Sequence, residues 1–96
     1  MANDDTFSNK SVTELLRNVA AAHTLKGDNR FRIIAYEKAA DAVEHLSREI
    51  RDIWQEGKLQ KVNGIGPGIG SALDEYFKTG TSRHFKEILK GIPPSV

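Results

Sequence analysis

The 96-residue sequence has no cysteine, one methionine, one tryptophan and three prolines. Without thiols there can be no disulfide scaffold, no thiolate-based zinc finger and no cysteine nucleophile, an absence compatible with a reducing compartment. No apolar run approaches the ~18–20 residues of a membrane span. The opening Met1-Ala2-Asn3-Asp4-Asp5 has neither the basic nor the apolar region of a signal peptide. The expectation is a cytoplasmic protein with no membrane partner, and nothing in the pattern calls for more than a monomer. An excess of charge is missing too. Fourteen Lys+Arg face thirteen Asp+Glu, a net charge of +1. No segment is a basic tail, since residues 1–29 carry −1 and residues 30–62 and 63–96 carry +1 each. Any nucleic-acid binding must therefore be local and cannot come from bulk charge.

What is present is the composition of one folded domain: 39% hydrophobic, 28% charged and without low-complexity tracts. Residues 1–8 are polar and aperiodic and read as a flexible lead-in. A first helix is expected from Asn9 to Ser11 onward, with Ser11 and Glu14 as a capping box or Asn9 as the cap. Val12, Leu15, Leu16, Val19, Ala20 and His23 follow at helical spacing, and Lys26-Gly27 closes the element. Asp28-Asn29 offers the next cap. Phe31, Ile34, Ala35, Ala39, Ala40, Val43 and Leu46 then form one stripe, in which the alanines permit close helix approach. Ser47 can cap a third helix with Ile50, Ile53 and Trp54, ended by Gly57. Beyond a short turn at Leu59 and Val62, one helix carries Ile69, Leu73, Tyr76 and Phe77 up to Gly80. A last helix from Ser82 carries Phe85, Ile88 and Leu89. No period-2 strand is visible, so the fold class is all-α, a small bundle of four to five helices over residues 9–91.

The anomaly is Asn63-Gly64-Ile65-Gly66-Pro67-Gly68-Ile69-Gly70, which holds four of the eight glycines. Bare glycine N–H groups ahead of a helix N-terminus suit a backbone anion site, and Pro67 has no N–H to waste in the first turn. A dinucleotide-binding fingerprint fails because Ile69 occupies the place of its third glycine. A P-loop fails because Gly-Lys-Ser/Thr is absent. Spacing alone leaves open whether these glycines bind an anion or only make a tight interhelical turn.

The run Leu59-Gln60-Lys61-Val62-Asn63-Gly64-Ile65-Gly66-Pro67-Gly68-Ile69-Gly70 resembles a helix-hairpin-helix motif, here about residues 58–79. Together with Lys26-Gly27-Asp28-Asn29-Arg30-Phe31-Arg32, Ala35-Tyr36, Ala39-Ala40, Gly57-Lys58-Leu59 and Asp74-Glu75-Tyr76-Phe77-Lys78-Thr79-Gly80, the chain over about residues 9–94 resembles the N-terminal domain of the polymerase-beta-like DNA polymerase X family. The resemblance implies a sequence-independent grip on the 5′-phosphate side of gapped or nicked DNA during repair. It also implies a longer parent. Residues 92–96 resemble a linker towards a second such motif and a nucleotidyltransferase region, where the catalytic Mg2+ would bind beyond Val96.

Residue by residue, the resemblance implies DNA-phosphate contacts from Gly64, Gly66, Gly68 and Ile69, with Gly68 standing where the animal enzymes have lysine. Carbonyls of Gln60, Val62 and Ile65 match those that hold a Na+ or K+ ion. Arg32 and Tyr36 match a 5′-phosphate pocket, against the plainer reading of a solvated cation and an interfacial aromatic. Lys58 and Lys61 are expected as phosphate-attracting charges, each adding about one unit to the salt slope. The lysine that forms a Schiff base in the family's deoxyribose-phosphate lyase is Ala72 here, and no lysine lies between Lys61 and Lys78. Only Lys38, Lys58, Lys61 or Lys78 could substitute. His23, His45 and His84 pair with no obvious carboxylate and read as surface or core-edge residues. Trp54 reads as core, and Glu44 with Arg48 as an exposed i,i+4 pair. A further alternative is a helical protein-interaction domain that docks through Tyr36 or Phe85 and uses its hairpin only as a turn. Borohydride treatment of the chain with an abasic-site oligonucleotide should give no covalent adduct; a trapped adduct would show a substitute lysine at work.

Overall fold

The computed structural model describes residues 7–90, so the expectations for residues 1–6 and the linker at 92–96 lie outside the described residues. Among the described residues the main elements follow in order: α1 Asn9–Leu25, α2 Arg30–Glu44, α3 Ile50–Gln55, a 3-10 turn Leu59–Lys61, α4 Pro67–Thr79 and α5 Arg83–Leu89. No strand occurs among the described residues, and no helix there is long and apolar enough to cross a membrane. The all-α expectation holds.

The lead-in does not end at residue 8 as a loose segment. The Phe7 ring lies 5.4 Å from Tyr76 and 5.6 Å from Phe77, with the Arg51 guanidinium 5.6 Å above it. Ser8, and not Ser11 or Asn9, caps α1: its hydroxyl accepts the Ser11 N–H at 3.1 Å. Asn9 is used elsewhere. Its Oδ1 accepts the Ile50 N–H at 2.6 Å and its Nδ2 donates to the Arg48 carbonyl at 2.7 Å, so α1 supplies the polar cap of α3. Ser47 has no part in that cap, and Glu49 at the N-cap position makes no side-chain bond.

α1 and α2 make the largest helix interface. Val12, Leu16, Val19 and Ala20 meet Ala39, Ala40 and Val43 in the buried cluster, and the small side chains let the helices approach closely. Their connection follows the sequence: Lys26 ends α1, Gly27 takes φ 68°, and the Asn29 side chain accepts the Phe31 N–H at 2.7 Å. The expected apolar stripe of α2 is corrected at its start. Phe31 is 82% exposed and Ile34 and Ala35 also face solvent, while Tyr36 is 3% exposed and takes the inward place. A hydroxyl-bearing ring is tolerated there because it finds a polar partner, described below.

Charged pairs also differ from the local expectation. Glu44 accepts Arg17 of α1 at 2.7 Å and Arg48 pairs with Glu56, because α2 ends at Glu44 and Arg48 lies in the connection before α3, out of helical register with Glu44. Trp54 is only half-buried: its ring leans on Phe77 at 5.3 Å, and Nε1–H donates to Asp74 at 2.7 Å.

The hairpin approaches α2 most tightly at Gly64. Gly64 has φ 99°, and a Cβ built there would stand 2.9 Å from Ala42 Cβ and 3.2 Å from the Lys38 carbonyl. Both the dihedral and the space demand glycine. Gly64→Ala should lower unfolding free energy by about 2 kcal/mol or more, measured by denaturant titration, because left-handed strain and overpacking act together.

Candidate nucleic-acid interface

A cleft of about 810 Å³ opens where the N-terminal ends of α2 and α4 meet the start of α5. Arg32, Tyr36, Gly66, Gly68, Ile69 and Ala72 all line it. The structure thus brings the expected phosphate-pocket pair, half of the hairpin glycines and Ala72, which the resemblance aligns with the family's lysine, to one place. Asn29, Phe31, Ala35, Ser71, Glu75 and His84 complete the wall.

The glycines divide by what the fold asks of them. Gly64 is spent on the contact with α2. At Gly66 and Gly68 an added Cβ would meet nothing within 4 Å, and Gly66 has an unremarkable φ of −78°. Neither must be glycine for packing, which favours an outside group approaching the backbone over a merely structural turn. Gly66 is the N-cap of α4, and no side chain caps that helix. Pro67 has no N–H and the Gly70 N–H returns to the Gly66 carbonyl at 2.8 Å, so the N–H groups of Gly68 and Ile69 head the helix beside the cleft.

Lys58 and Lys61 are exposed on and beside the 3-10 turn but do not line the cleft, and neither does Gly64. They flank the hairpin, and Lys58 also lies within electrostatic reach of the Glu56 carboxylate. Gln60 lies within the 3-10 turn, Val62 directly follows it, and Ile65 sits between Gly64 and Gly66 in the hairpin. The Val62 carbonyl accepts the Ile65 N–H at 3.1 Å and keeps its second lone pair. No cluster of histidine, aspartate and glutamate suited to a metal ion exists among the described residues.

Polar contacts tie the cleft to the core. His23 is fully buried and its Nδ1 lies 2.8 Å from Asp28 Oδ2, which corrects the expectation of an unpaired histidine. The signal was present in the sequence: the Lys26-Gly27 turn folds Asp28 back on the last turn of α1, and the Asp28 N–H donates to the His23 carbonyl at 2.9 Å. The same Asp28 carboxylate stands 3.5 Å from Arg32. The Asn29 backbone N–H, then His23 and Arg32, hold its pKa below the ordinary value.

His84, also dismissed on sequence grounds, lies with Nε2 2.7 Å from Tyr36 Oη. That pairing spans 48 residues and has no local signature. Burial pushes the Tyr36 phenol up to about 12, and partial burial, helped by His23 and Arg32, pulls His84 below the usual histidine range. Glu75 brings a carboxylate into the cleft, but Arg83 engages it, the backbone N–H donating at 3.2 Å and Nε standing at 3.5 Å.

A family model described as a helix-hairpin-helix domain matches residues 7–82. The chain belongs to that helix-hairpin-helix family. It is 33% identical over 84 residues to a DNA polymerase/3'-5' exonuclease, PolX, of Bacillus subtilis (strain 168). That match takes in 88% of this chain and 14% of the relative, so the chain spans about one seventh of the length of the curated protein it matches. The domain is thus of the DNA-binding helix-hairpin-helix type and related to the PolX polymerases. Motifs of this type commonly bind a monovalent cation.

For this helix-hairpin-helix domain Tyr36 and His84 set two pH limits. The folded pKa of Tyr36 lies above its unfolded value, so its stability contribution is complete below pH 10 and disappears as pH rises through about 12. That of His84 lies below its unfolded 6.5, so its contribution is present above 6.5 and is lost as pH falls through the folded value. Thermal melting against pH should show an alkaline loss that Tyr36→Phe reduces; an equal loss in the variant would rule out Tyr36 as its source.

Proposed function

We propose that this domain holds DNA by its backbone, without reading sequence, on the 5′-phosphate side of a gap or nick, as the N-terminal part of a family X DNA polymerase acting in repair. The observation that supports this most is the single cleft in which Arg32 and Tyr36 face Gly66, Gly68 and Ile69. A terminal phosphate there would meet a guanidinium, suited to bidentate phosphate contact, and backbone donors at a helix N-terminus. The exposed Phe31 ring on the rim would offer an apolar face to an unpaired base.

A Na+ or K+ ion held by the carbonyls of Gln60, Val62 and Ile65 would sit between protein and phosphate, and main-chain oxygens are the right donors for a hard cation. When bound, it supplies positive charge that the nearly neutral chain lacks. Lys58 and Lys61 add charge beside the hairpin. No lyase is proposed. Neither Lys38, Lys58, Lys61 nor Lys78 lines the cleft, and Ala72 in its wall is buried.

Amide shifts should be followed during titration with a duplex carrying a one-nucleotide gap, with and without its 5′-phosphate. Changes centred on Gly64, Gly66, Gly68 and Ile69, with those at Arg32 and Tyr36 needing the phosphate, are expected. Absent or scattered changes would turn the reading towards a structural hairpin. Binding should weaken with salt at a log–log slope of about two to four. Arg32→Ala should reduce the preference for a 5′-phosphate about ten-fold. Gly66→Val should weaken DNA binding with little change in stability, since the position has open space.

A further inference from the structure

One hydrogen bond in the cleft joins its aromatic wall to its rim. Tyr36 Oη of α2 and His84 Nε2 of α5 are 2.7 Å apart, and the two rings lie 6.3 Å apart and 14° from parallel. His84 is otherwise exposed. The charged and titratable groups around the pair come from every neighbouring element. α1 contributes His23, whose ring is 5.3 Å from that of Tyr36, and the loop after it contributes Asp28. α2 contributes Arg32, and α4 contributes Glu75, held by Arg83 next to His84 in sequence. Glu87 stands one turn further along α5.

The proton count of this pair is informative. A phenol has one proton to donate, and a neutral imidazole has one nitrogen that accepts. While Nε2 is that acceptor, the Tyr36 hydroxyl is used up inside the protein. Once the imidazole is protonated, Nε2–H must donate, the phenol oxygen accepts, and the Tyr36 O–H is left to the cleft. With no anion in the cleft, partial burial and then the proximity of His23 and Arg32 oppose that protonation. An incoming dianion would reverse the field.

We propose that His84 is a proton-coupled phosphate ligand: a terminal phosphate in the cleft draws a solvent proton onto the imidazole, which turns the Tyr36 O–H towards the phosphate and adds a second cation beside Arg32. This rests on the 5′-phosphate reading above and extends it to the choice of ligand. A phosphate monoester carries about −1.5 to −2 near neutral pH, whereas an internal phosphodiester carries a single charge. The monoester therefore draws the proton more strongly, and His84 favours strand ends over continuous backbone.

The test is binding of the gapped duplex, bearing a 5′-phosphate or a 5′-hydroxyl, at about pH 7.5 and about pH 6. With the phosphate, affinity should rise about three- to ten-fold towards the lower pH, and the increment should be much smaller with the hydroxyl. His84→Gln, which keeps a polar group for Tyr36 but cannot titrate, should abolish the phosphate-dependent increment. Independently of any variant, the ring-proton shifts of His84 should titrate at higher pH with a 5′-phosphorylated dinucleotide than without it. An increment that persists in His84→Gln, or a His84 titration indifferent to the dinucleotide, would overturn the proposal while the 5′-phosphate preference stood. No 5′-phosphate preference at either pH would overturn the functional reading, and this proposal with it.

Discussion

The seat of Gly64 against the Lys38 carbonyl and Ala42 is the constraint on which the rest of the structure depends. It fixes the hairpin to the middle of α2, and everything after the hairpin takes its direction from there. α4 then starts beside the first turns of α2, and Gly66, Gly68 and Ile69 come to face Arg32 and Tyr36. Any side chain at position 64 would press on Ala42 and the Lys38 carbonyl, so the hairpin or α2 would have to shift. The other hairpin glycines are under no such demand from the fold, and that contrast separates the structural glycine from those free to meet a ligand.

A nearly neutral chain cannot rely on a broad positive field to find or hold a polyanion. The structure concentrates what charge it has instead. Arg32 is poised at the cleft but tempered by Asp28, and Glu75 is occupied by Arg83. Backbone N–H groups at the head of α4 contribute directed partial charge without changing the net total. Such an arrangement relies on direction more than on net charge.

The helices were legible because their signals are local. Periodicity placed α1, α2 and α4, and the Lys26-Gly27 turn, the Asn29 cap and the Ser82 cap lie where the sequence points. The errors arose where a distant element supplies the partner. Asn9 serves α3 and not α1, Glu44 goes to Arg17, and Phe31 is outside because Tyr36 has a remote hydroxyl partner that lets it be inside. The candidate site divides the same way. Arg32, Tyr36 and the hairpin glycines could be named from motif resemblance, whereas His84 and Glu75 reach the cleft only through the path of α4 and α5.

The Asn9 bridge couples parts of the domain that the chain order separates. α3 has six residues, too few to persist as a helix on its own, and its first N–H is satisfied by a side chain from α1. The start of α1 and the entrance to the hairpin therefore share one fate. Fraying at the N-terminal end would be transmitted to Ile50 and on towards the 3-10 turn. The backbone segment that presents the hairpin is thus stiffened by residues more than forty positions upstream, and events at the beginning of the chain can alter how firmly the hairpin itself is held.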